Sequence, residues 1–268
     1  MSFLYSKYID LIDSGKIQEA ITYRANFTPD YLYKFFWLSS EIDNPESNKR
    51  LNSLRNKQLW FATPILQNDP YEFKGIYFNK RRLQEIGIPL QSITDTETLF
   101  FKKTALTSFT ANMSDNLPMW AHYANNHYGF CVKYKVGKKH AIRNIIYEKQ
   151  RIPIANTFYS FIVNSINGIK NSDCFLEAEI ISTILQDIFF TKHISWDYEQ
   201  EYRALYPLDE EIGGCNVSIE EIGLSIVEIY SGIKCIDQNK KILQEIASEL
   251  QVPFKECKTS EFSFAVFE

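Results

Sequence analysis

The sequence predicts a single mixed α+β domain, and three observations support this fold class. Aromatic-rich segments of strand length and amphipathic helical segments follow one another in irregular order, without a repeating strand–helix–strand period. The chain has 268 residues, a length suited to one large domain. It is 45% hydrophobic and has only ten Gly and nine Pro, which is typical of a globular protein with a sizeable core. We expect a short helical extension at residues 1–28 and one α+β domain at 29–268.

The first half of the chain contains the N-terminal helices and three predicted strands. Apolar residues at helical spacing predict two short helices within residues 3–25, separated at Ser14-Gly15. Runs rich in aromatic and β-branched residues predict strands; these runs are residues 31–38, 58–62 and 104–110. A short helix is expected at 49–56, a turn-rich loop at 63–72, and mostly helical or irregular chain at 80–104.

The second half alternates helices and strands without a repeat. Pro118 suits the first turn of a helix at 119–126, and helical periodicity also predicts residues 154–190, divided near 167–173, and 238–250. Strands are predicted from composition and alternation; they are residues 128–136, 144–147, 195–206, 225–233 and 262–267.

Composition and charge narrow the functional classes. The net charge of −4 argues against a general nucleic-acid binder, which usually has a basic bias. The five cysteines are widely spaced and form no CxxC pair, which predicts reduced thiols, no structural zinc and a cytoplasmic protein. The N-terminus has no signal-peptide pattern, and no run approaches the roughly 20 apolar residues of a membrane span. We therefore expect no membrane partner; the sequence leaves the oligomeric state open.

The segment from Trp196 to Arg203 carries the most unusual pattern in the chain. Read as a strand, it alternates at period two and places three acids and an arginine on one face, Asp197, Glu199, Glu201 and Arg203. Neighbouring carboxylates repel and raise one another's pKa unless a cation or ligand hydroxyl balances them. This pattern predicts a carboxylate-based active site. The alternatives are a solvated, self-neutralising face or an internal ion-pair ladder.

Three further polar clusters are candidates for ligand contacts. Common nucleotide-phosphate and hydrolase motifs such as GxGxxG, GxSxG and HExxH are absent from the sequence. The clusters are Asn68-Asp69 with Glu72, the strand-end hydroxyls Ser108 and Thr110, and the segment holding Trp120, His122, Tyr123 and His127. The acidic segment adds Lys192 and Trp196 as candidates. Each cluster also has a structural explanation. In that explanation the Asn68-Asp69 cluster only forms a turn, the strand-end hydroxyls only reflect strand propensity, and the aromatic segment only packs in the core. The spacing of the two histidines is poor for metal ligation, so no metal is expected.

Taken in order, these motifs resemble a bacterial family of proteins known as domain-of-unknown-function family two-nine-seven-one. The resemblance spans residues 31–235. It rests on these segments, in order: Leu32-Tyr33-Lys34-Phe35, Leu59-Trp60-Phe61, Asn68-Asp69-Pro70-Tyr71-Glu72, Ser108-Phe109-Thr110, the Met119–Gly129 segment, and Lys192 with the Trp196–Arg203 segment. This resemblance indicates a protein family, but the family has no assigned function.

The motif order also resembles the ADP-ribosyltransferase fold, a split β-sandwich that binds NAD between two small sheets. The resemblance implies that Tyr33 and Lys34 occupy the first-motif position, where Arg or His is usual. It implies that Ser108 and Thr110 hold the NAD ribose. Glu201 would be the catalytic acid, with Glu199 orienting the acceptor and Arg203 beside them. Trp120, His122 and Tyr123 would lie near the nicotinamide or adenine.

This second resemblance implies NAD as the bound nucleotide and ADP-ribosyl transfer or NAD hydrolysis as the activity, in a toxin or an anti-phage effector. The acceptor would be a protein, a nucleic acid or a small molecule. Two other functions stay open at this point. Asp69, Glu72, Glu199 and Glu201 suit a metal-dependent nuclease or hydrolase. A non-catalytic binding or sensing module would use the same acids as internal ion pairs.

Overall fold

A computed structural model describes residues 3–64, 71–166, 181–261 and 266–267. The α-helices are α1 (Tyr5–Asp13), α2 (Ile17–Ala25), α3 (Pro45–Arg55), α4 (Lys80–Glu85), α5 (Leu90–Lys102), α6 (Leu117–Tyr123), α7 (Asn156–Ile166) and α8 (Asp237–Leu250). Residues 181–186 are also helical. Short 3-10 helices span Lys139–Ala141, Asp187–Phe190 and Ile194–Glu199.

Fifteen strands are described. They are β1 (Tyr31–Phe36), β2 (Gln58–Ala62), β3 (Ile76–Tyr77), β4 (Thr104–Thr110), β5 (Phe130–Val136), β6 (Ile142–Asn144), β7 (Ile146–Glu148), β8 (Ile152–Pro153), β9 (Thr191–His193), β10 (Glu201–Pro207), β11 (Gly214–Ser218), β12 (Leu224–Ser231), β13 (Phe254–Glu256), β14 (Lys258–Thr259) and β15 (Val266–Phe267). Nine of them form one sheet with the order β11-β2-β4-β1-β5-β12-β13, and β10 and β6 extend from β4.

The sheet divides at β4. One edge of β4 pairs with β10 along its whole length, from Glu201 opposite Thr110 to Pro207 opposite Thr104. The other edge is shared, because β1 pairs only at Thr110 and β2 pairs only at Leu106. Residues 107–109 therefore face a gap between β1 and β2. This gap separates the sheet into two halves that meet at β4.

Two hydrophobic cores support the halves. The first packs α3 and α8 against the large sheet and includes the fully buried Leu32, Phe130 and Leu243. The second joins α1, α2, α7 and the Asp187–Phe190 turn. There, buried Arg24 of α2 pairs with Asp187 at 2.6 Å, so the N-terminal helices are tied to the chain before β9.

The predicted α+β class is confirmed, and most helices and strands lie where the sequence places them. The predicted strand at 195–206 is wrong over its first part, because Ile194–Glu199 is a 3-10 helix and the strand begins at Glu201. The predicted helix at 119–126 ends at Tyr123. The predicted division of the 154–190 helix and residues 262–265 of the last strand lie outside the described residues. The boundary of the N-terminal extension stays a prediction.

No helix in the described parts of the chain combines the length and apolar character that a membrane span requires.

Candidate active site

A cleft of about 260 Å³ lies where the sheet divides. β1, β2, β4, α6, β9 and β10 all contribute to its wall. Its polar or aromatic lining residues are Tyr33, Lys34, Phe35, Trp60, Thr107, Ser108, Phe109, Thr110, Tyr123, Lys192, Glu199, Glu201 and Arg203. Five consecutive residues of β4, 106–110, line the cleft, which is the open edge left between β1 and β2. Non-local strand pairing thus brings most of the predicted site residues together.

A buried cluster of ions lies at the floor of this cleft, and its members other than Glu72 line the cleft. The Lys192 ammonium lies 2.6 Å from Glu199 Oε2, 3.3 Å from Glu201 Oε2 and 3.7 Å from Glu72 Oε2. All four side chains are at most 7% exposed. The Lys192 ammonium therefore attracts three carboxylates that would otherwise repel one another in a site of low dielectric constant, although its single charge does not neutralise all of them.

Arg203 provides the second cation of the cluster. Its Nε donates to Glu201 Oε1 at 2.6 Å, and its Nη2 donates to Glu201 Oε2 at 3.0 Å and to Glu72 Oε1 at 2.6 Å. Its Nη1 donates to the Phe189 carbonyl at 2.6 Å. The planar fork of a guanidinium suits this arrangement, because it engages two carboxylates and a carbonyl at once.

The conformation of Gln200 explains how Glu199 and Glu201 converge. Gln200 adopts a left-handed backbone conformation, with φ of 44° and ψ of 50°, and ends the 3-10 helix. His193 caps the start of that helix, its Nδ1 accepting from the Ser195 N–H at 3.3 Å. Period-two alternation predicted a shared face for the two acids. They do meet at Lys192, but a helix-to-strand junction brings them there.

The two carboxylates have pKa values shifted in opposite directions. Burial raises the pKa of Glu199, and the neighbouring Glu201 charge raises it further. Burial also raises the pKa of Glu201, but Arg203 and Lys192 outweigh burial and lower that pKa to about 2. Glu201 therefore stays ionised at neutral pH. Pairs of acids with divergent pKa values are typical of sites that divide acid and anion roles.

The lowered pKa of Glu201 predicts an acid-dependent stability difference. Since the pKa falls from 4.5 to about 2 on folding, the ionised group stabilises the native state above about pH 4.5 and loses this effect as pH falls toward 2. We expect wild type to exceed Glu201→Gln in free energy of unfolding by about 3 kcal/mol at neutral pH. Urea titrations should show that difference shrinking toward pH 2.5; a difference that does not change with pH would contradict the ionic role.

Lys34 and the β4 hydroxyls line the opposite wall. Among the described residues the Lys34 ammonium donates one hydrogen bond, to the Ser108 carbonyl at 2.9 Å, which leaves two N–H donors for a ligand. Burial lowers its pKa to about 8, although the Glu201 charge opposes this. The Ser108 hydroxyl bonds the Glu201 carboxylate. Thr107 Oγ1 is buried and has no hydrogen-bond partner in the part of the chain that the structure describes, and Thr110 Oγ1 bonds the Asn112 backbone.

Aromatic side chains form the rim. Trp60 is 51% exposed and Tyr123 is 39% exposed, while Tyr33 is partly buried. The Tyr123 hydroxyl donates to Glu199 Oε1, which fixes this ring over the acids. Trp60 was missed among the predicted site residues. The sequence pattern could have indicated it. Leu59 and Phe61 fill the core face of β2, so the aromatic residue between them lies on the opposite face.

The Met119–Gly129 motif is largely structural. Trp120 is fully buried and donates its indole N–H to the Met113 carbonyl at 3.0 Å, and the His127 ring stacks on it. His127 has a positive φ, as do Asn125 and Asn126. Asn and His tolerate this conformation better than most residues. Trp120 and His127 therefore do not line the cleft, and the prediction that Trp120 stacks on a nucleotide has no geometric support.

Gly129 completes that turn for a steric reason. A Cβ atom at this position would lie 2.0 Å from the Phe36 carbonyl oxygen of β1. Only glycine therefore allows α6 to approach β1, and this approach carries Tyr123 to the cleft.

The remaining predicted residues lie around the cleft or outside the described residues. Exposed His122 contacts the rings of Tyr123 and Tyr198 without lining the cleft. Trp196 lies 4.6 Å from the Lys192 ammonium, a cation–π contact. Asn68 and Asp69 lie outside the described residues. Within the described ranges, no group of three His, Cys, Asp or Glu is arranged to hold a metal.

Comparison with known proteins gives a match to one protein family, and that family has no assigned activity. Residues 119–204 match the family model described as a protein of unknown function, DUF2971. The match begins in α6 and ends in β10, so it includes the ion-pair segment from Lys192 to Arg203. The family predicted from the motifs is therefore confirmed over residues 119–204. No curated protein and no solved structure matches the chain.

Proposed function

We propose that this protein binds NAD in the β4 cleft and cleaves its nicotinamide–ribose bond, either by ADP-ribosyl transfer or by hydrolysis. One observation carries the proposal. Lys34, Ser108 and Glu201 lie on the adjacent strands β1, β4 and β10 and line a single cleft at the division of the sheet. These three positions come in the same order along the chain that the resemblance to ADP-ribosyltransferases implies, with Lys34 at the first position, where Arg or His is usual.

The cleft has suitable chemistry for the nicotinamide–ribose end of the substrate. Its volume of about 260 Å³ is small for a whole dinucleotide, so the adenosine end would lie outside against exposed Trp60. The two free N–H donors of Lys34 suit a pyrophosphate oxygen. The unpartnered Thr107 hydroxyl offers a hydrogen bond to a ribose hydroxyl.

Glu201 is the proposed catalytic residue. Cleavage of the bond to nicotinamide develops positive charge on the ribose, as in glycoside cleavage. An ionised carboxylate that bonds a ribose hydroxyl stabilises that charge more than it stabilises the ground state. The Lys192 contact to Glu201, at 3.3 Å, is longer than either Arg203 contact, and it is the one that a ribose hydroxyl would replace. Glu199 and Tyr123 would then face the acceptor, which is water or a nucleophilic group of another molecule.

A non-catalytic NAD-sensing module is the second candidate, and one observation favours it. The Glu201 carboxylate already receives hydrogen bonds from Arg203, Lys192 and Ser108, so its acceptor capacity is nearly filled. Such an anion would hold the cleft in shape and bind nucleotide without turnover. The metal-dependent hydrolase is not proposed, because the Lys192 ammonium lies between the described carboxylates in the position a metal ion would take. A role as a toxin or anti-phage effector stays a prediction.

Calorimetric titration with NAD, ADP-ribose and nicotinamide tests the proposed site. We expect NAD to bind and Trp60→Ala to weaken it by about 1 kcal/mol, roughly fivefold, because a rim aromatic contributes about that much by stacking. The melting temperature should not change, since Trp60 is 51% exposed. Tyr31→Ala removes another exposed strand aromatic outside the cleft and is the matched control. Absence of NAD binding to the wild type would refute the site.

The lowered pKa of Lys34 predicts a pH dependence of NAD binding. Because burial lowers that pKa to about 8, the free protein loses the ammonium as pH rises through 8, and an anionic ligand then loses its partner. We expect NAD affinity to fall at least about tenfold between about pH 7 and about pH 9.5. Lys34→Arg keeps its charge and should remove this dependence. If NAD affinity falls equally with pH in the wild type and in Lys34→Arg, a group other than Lys34 causes the pH dependence.

A further inference from the structure

Arg143 of β6 is a partly buried arginine without a counter-ion. Among the described residues its guanidinium makes no salt bridge and no hydrogen bond, and its Nη1 is buried without a partner. Its contact is with the face of Phe190, at 5.4 Å from guanidinium carbon to ring centre. A buried charge without compensation is costly, so its presence needs an explanation.

The charges around Arg143 increase its need for a negatively charged partner. Arg143 is directly opposite Arg203 in the β6–β10 register, and like charges at such positions destabilise a sheet. Asp187 is the carboxylate on this side, but Arg24 pairs with it at 2.6 Å and the Tyr8 hydroxyl bonds it at 3.4 Å. Two arginines therefore lie near one acid, and that acid pairs with Arg24 and not with Arg143. Burial, followed by the Arg24 charge, lowers the pKa of Arg143, which agrees with this deficit.

The excess acid of the neighbouring cluster does not compensate Arg143. That cluster has three carboxylates for two cations, but Glu72 and Glu201 bond Arg203. Glu199 bonds Lys192 and Tyr123 on the cleft side and makes no contact with Arg143.

Arg143 also lines a cavity of about 550 Å³ that shares no lining residue with the cleft. This cavity lies at the other end of the β4–β10 pair, where Phe100, Phe190, Leu205 and Ile222 give it an apolar wall. Lys103 and His140 are on its rim, and its one described acid, Glu221, accepts from the Tyr206 hydroxyl at 3.1 Å. The lining thus combines excess positive charge with apolar surface.

We propose that this cavity binds a small organic anion, with its carboxylate or phosphate head on the Arg143 guanidinium and its apolar body against Phe190 and Phe100. A guanidinium forms strong charge-assisted bonds with either head group, and the volume is in the range of small-molecule sites. The bound anion would supply the missing counter-ion. This site does not depend on the NAD proposal, since its residues and its ligand class are separate.

Titration of the full chain with three probes tests the proposal. Benzoate carries a carboxylate head, phenyl phosphate carries a phosphate head, and benzyl alcohol has a similar body without charge. We expect at least one anion to bind and raise the melting temperature, with benzyl alcohol at least about tenfold weaker. The stronger of the two anions identifies the head group. If neither anion binds the wild type better than benzyl alcohol, the proposal is overturned.

A pair of variants tests whether Arg143 binds the anion or only supports the fold. They are Arg143→Gln and the control Arg81→Gln. Arg81 is 88% exposed and pairs only with Glu85 at the surface, so it is the matched control. We expect Arg143→Gln to lose at least about tenfold in anion affinity while its unliganded melting temperature stays equal or rises, because a repulsive buried charge is removed. Arg81→Gln should bind as the wild type does. Unchanged affinity in Arg143→Gln, or a melting temperature lowered as by the loss of a buried ion pair, would overturn the proposal.

Discussion

Replacement of Glu201 by Gln is expected to reduce nicotinamide release from NAD at least about 100-fold, the scale seen when one electrostatic transition-state contact is removed. The amide keeps the shape of the side chain but loses the charge that would stabilise the ribose cation. It also weakens the pairing of Arg203 and Lys192, so some loss of stability accompanies the loss of activity. Rates should therefore be measured where circular dichroism shows both proteins fully folded.

Glu72→Gln is the matched control for this experiment. Glu72 bonds the same arginine at 2.6 Å and is equally buried, but it does not line the cleft. We expect it to destabilise the protein to a similar extent while nicotinamide release per folded molecule stays within about threefold of wild type, because no contact to substrate is removed. If the two variants lose activity in proportion to their loss of stability, the carboxylates serve the fold alone.

Arg203→Lys is expected to produce the largest loss of stability, about 3–5 kcal/mol in the free energy of unfolding. A lysine cannot reproduce the fork that engages Glu201, Glu72 and the Phe189 carbonyl together, so buried acceptors would be left unpaired. Urea denaturation at neutral pH measures the difference. Arg81→Lys, at an 88% exposed position, should change it by less than about 0.5 kcal/mol. Equal effects of the two substitutions would show that the cluster contributes little to folding.

The local elements of this fold could be predicted from the sequence because their signals are local. Strand composition located β1, β2 and β4 closely, and helical periodicity located α1, α2 and α8. The acidic segment at Glu199–Arg203 was recognised as unusual for the same reason. The family match at residues 119–204 confirms the motif-based assignment over that stretch.

The convergence of these residues in one cleft could not be read from spacing. It depends on β4 sharing one edge between β1 and β2, which is a pairing between distant segments. The left-handed conformation of Gln200 also has no signal in an alternating pattern, and it converts the predicted strand into a helix-to-strand junction. Lys192 precedes Glu201 by nine residues, yet the fold places its ammonium between three carboxylates.

The burial of Trp120 illustrates a different difficulty. The resemblance to ADP-ribosyltransferases implied that Trp120 and Tyr123 both lie near the ligand, but α6 places the indole in the core and the phenol on the rim. Arg143 is the converse case. Nothing in the local sequence separates it from a surface arginine. The fold pairs Asp187 with Arg24 and so leaves Arg143 without a counter-ion among the described residues.

Mass-spectrometric analysis of NAD incubated with the wild-type protein, with and without EDTA, is the most direct test of the central proposal. We predict release of nicotinamide with an equal amount of free or acceptor-bound ADP-ribose, unchanged by EDTA because Lys192 takes the place of a metal ion. Recovery of intact NAD from a protein that binds it would contradict cleavage and identify a sensing module. Recovery of intact NAD without binding would contradict the assignment of the cleft.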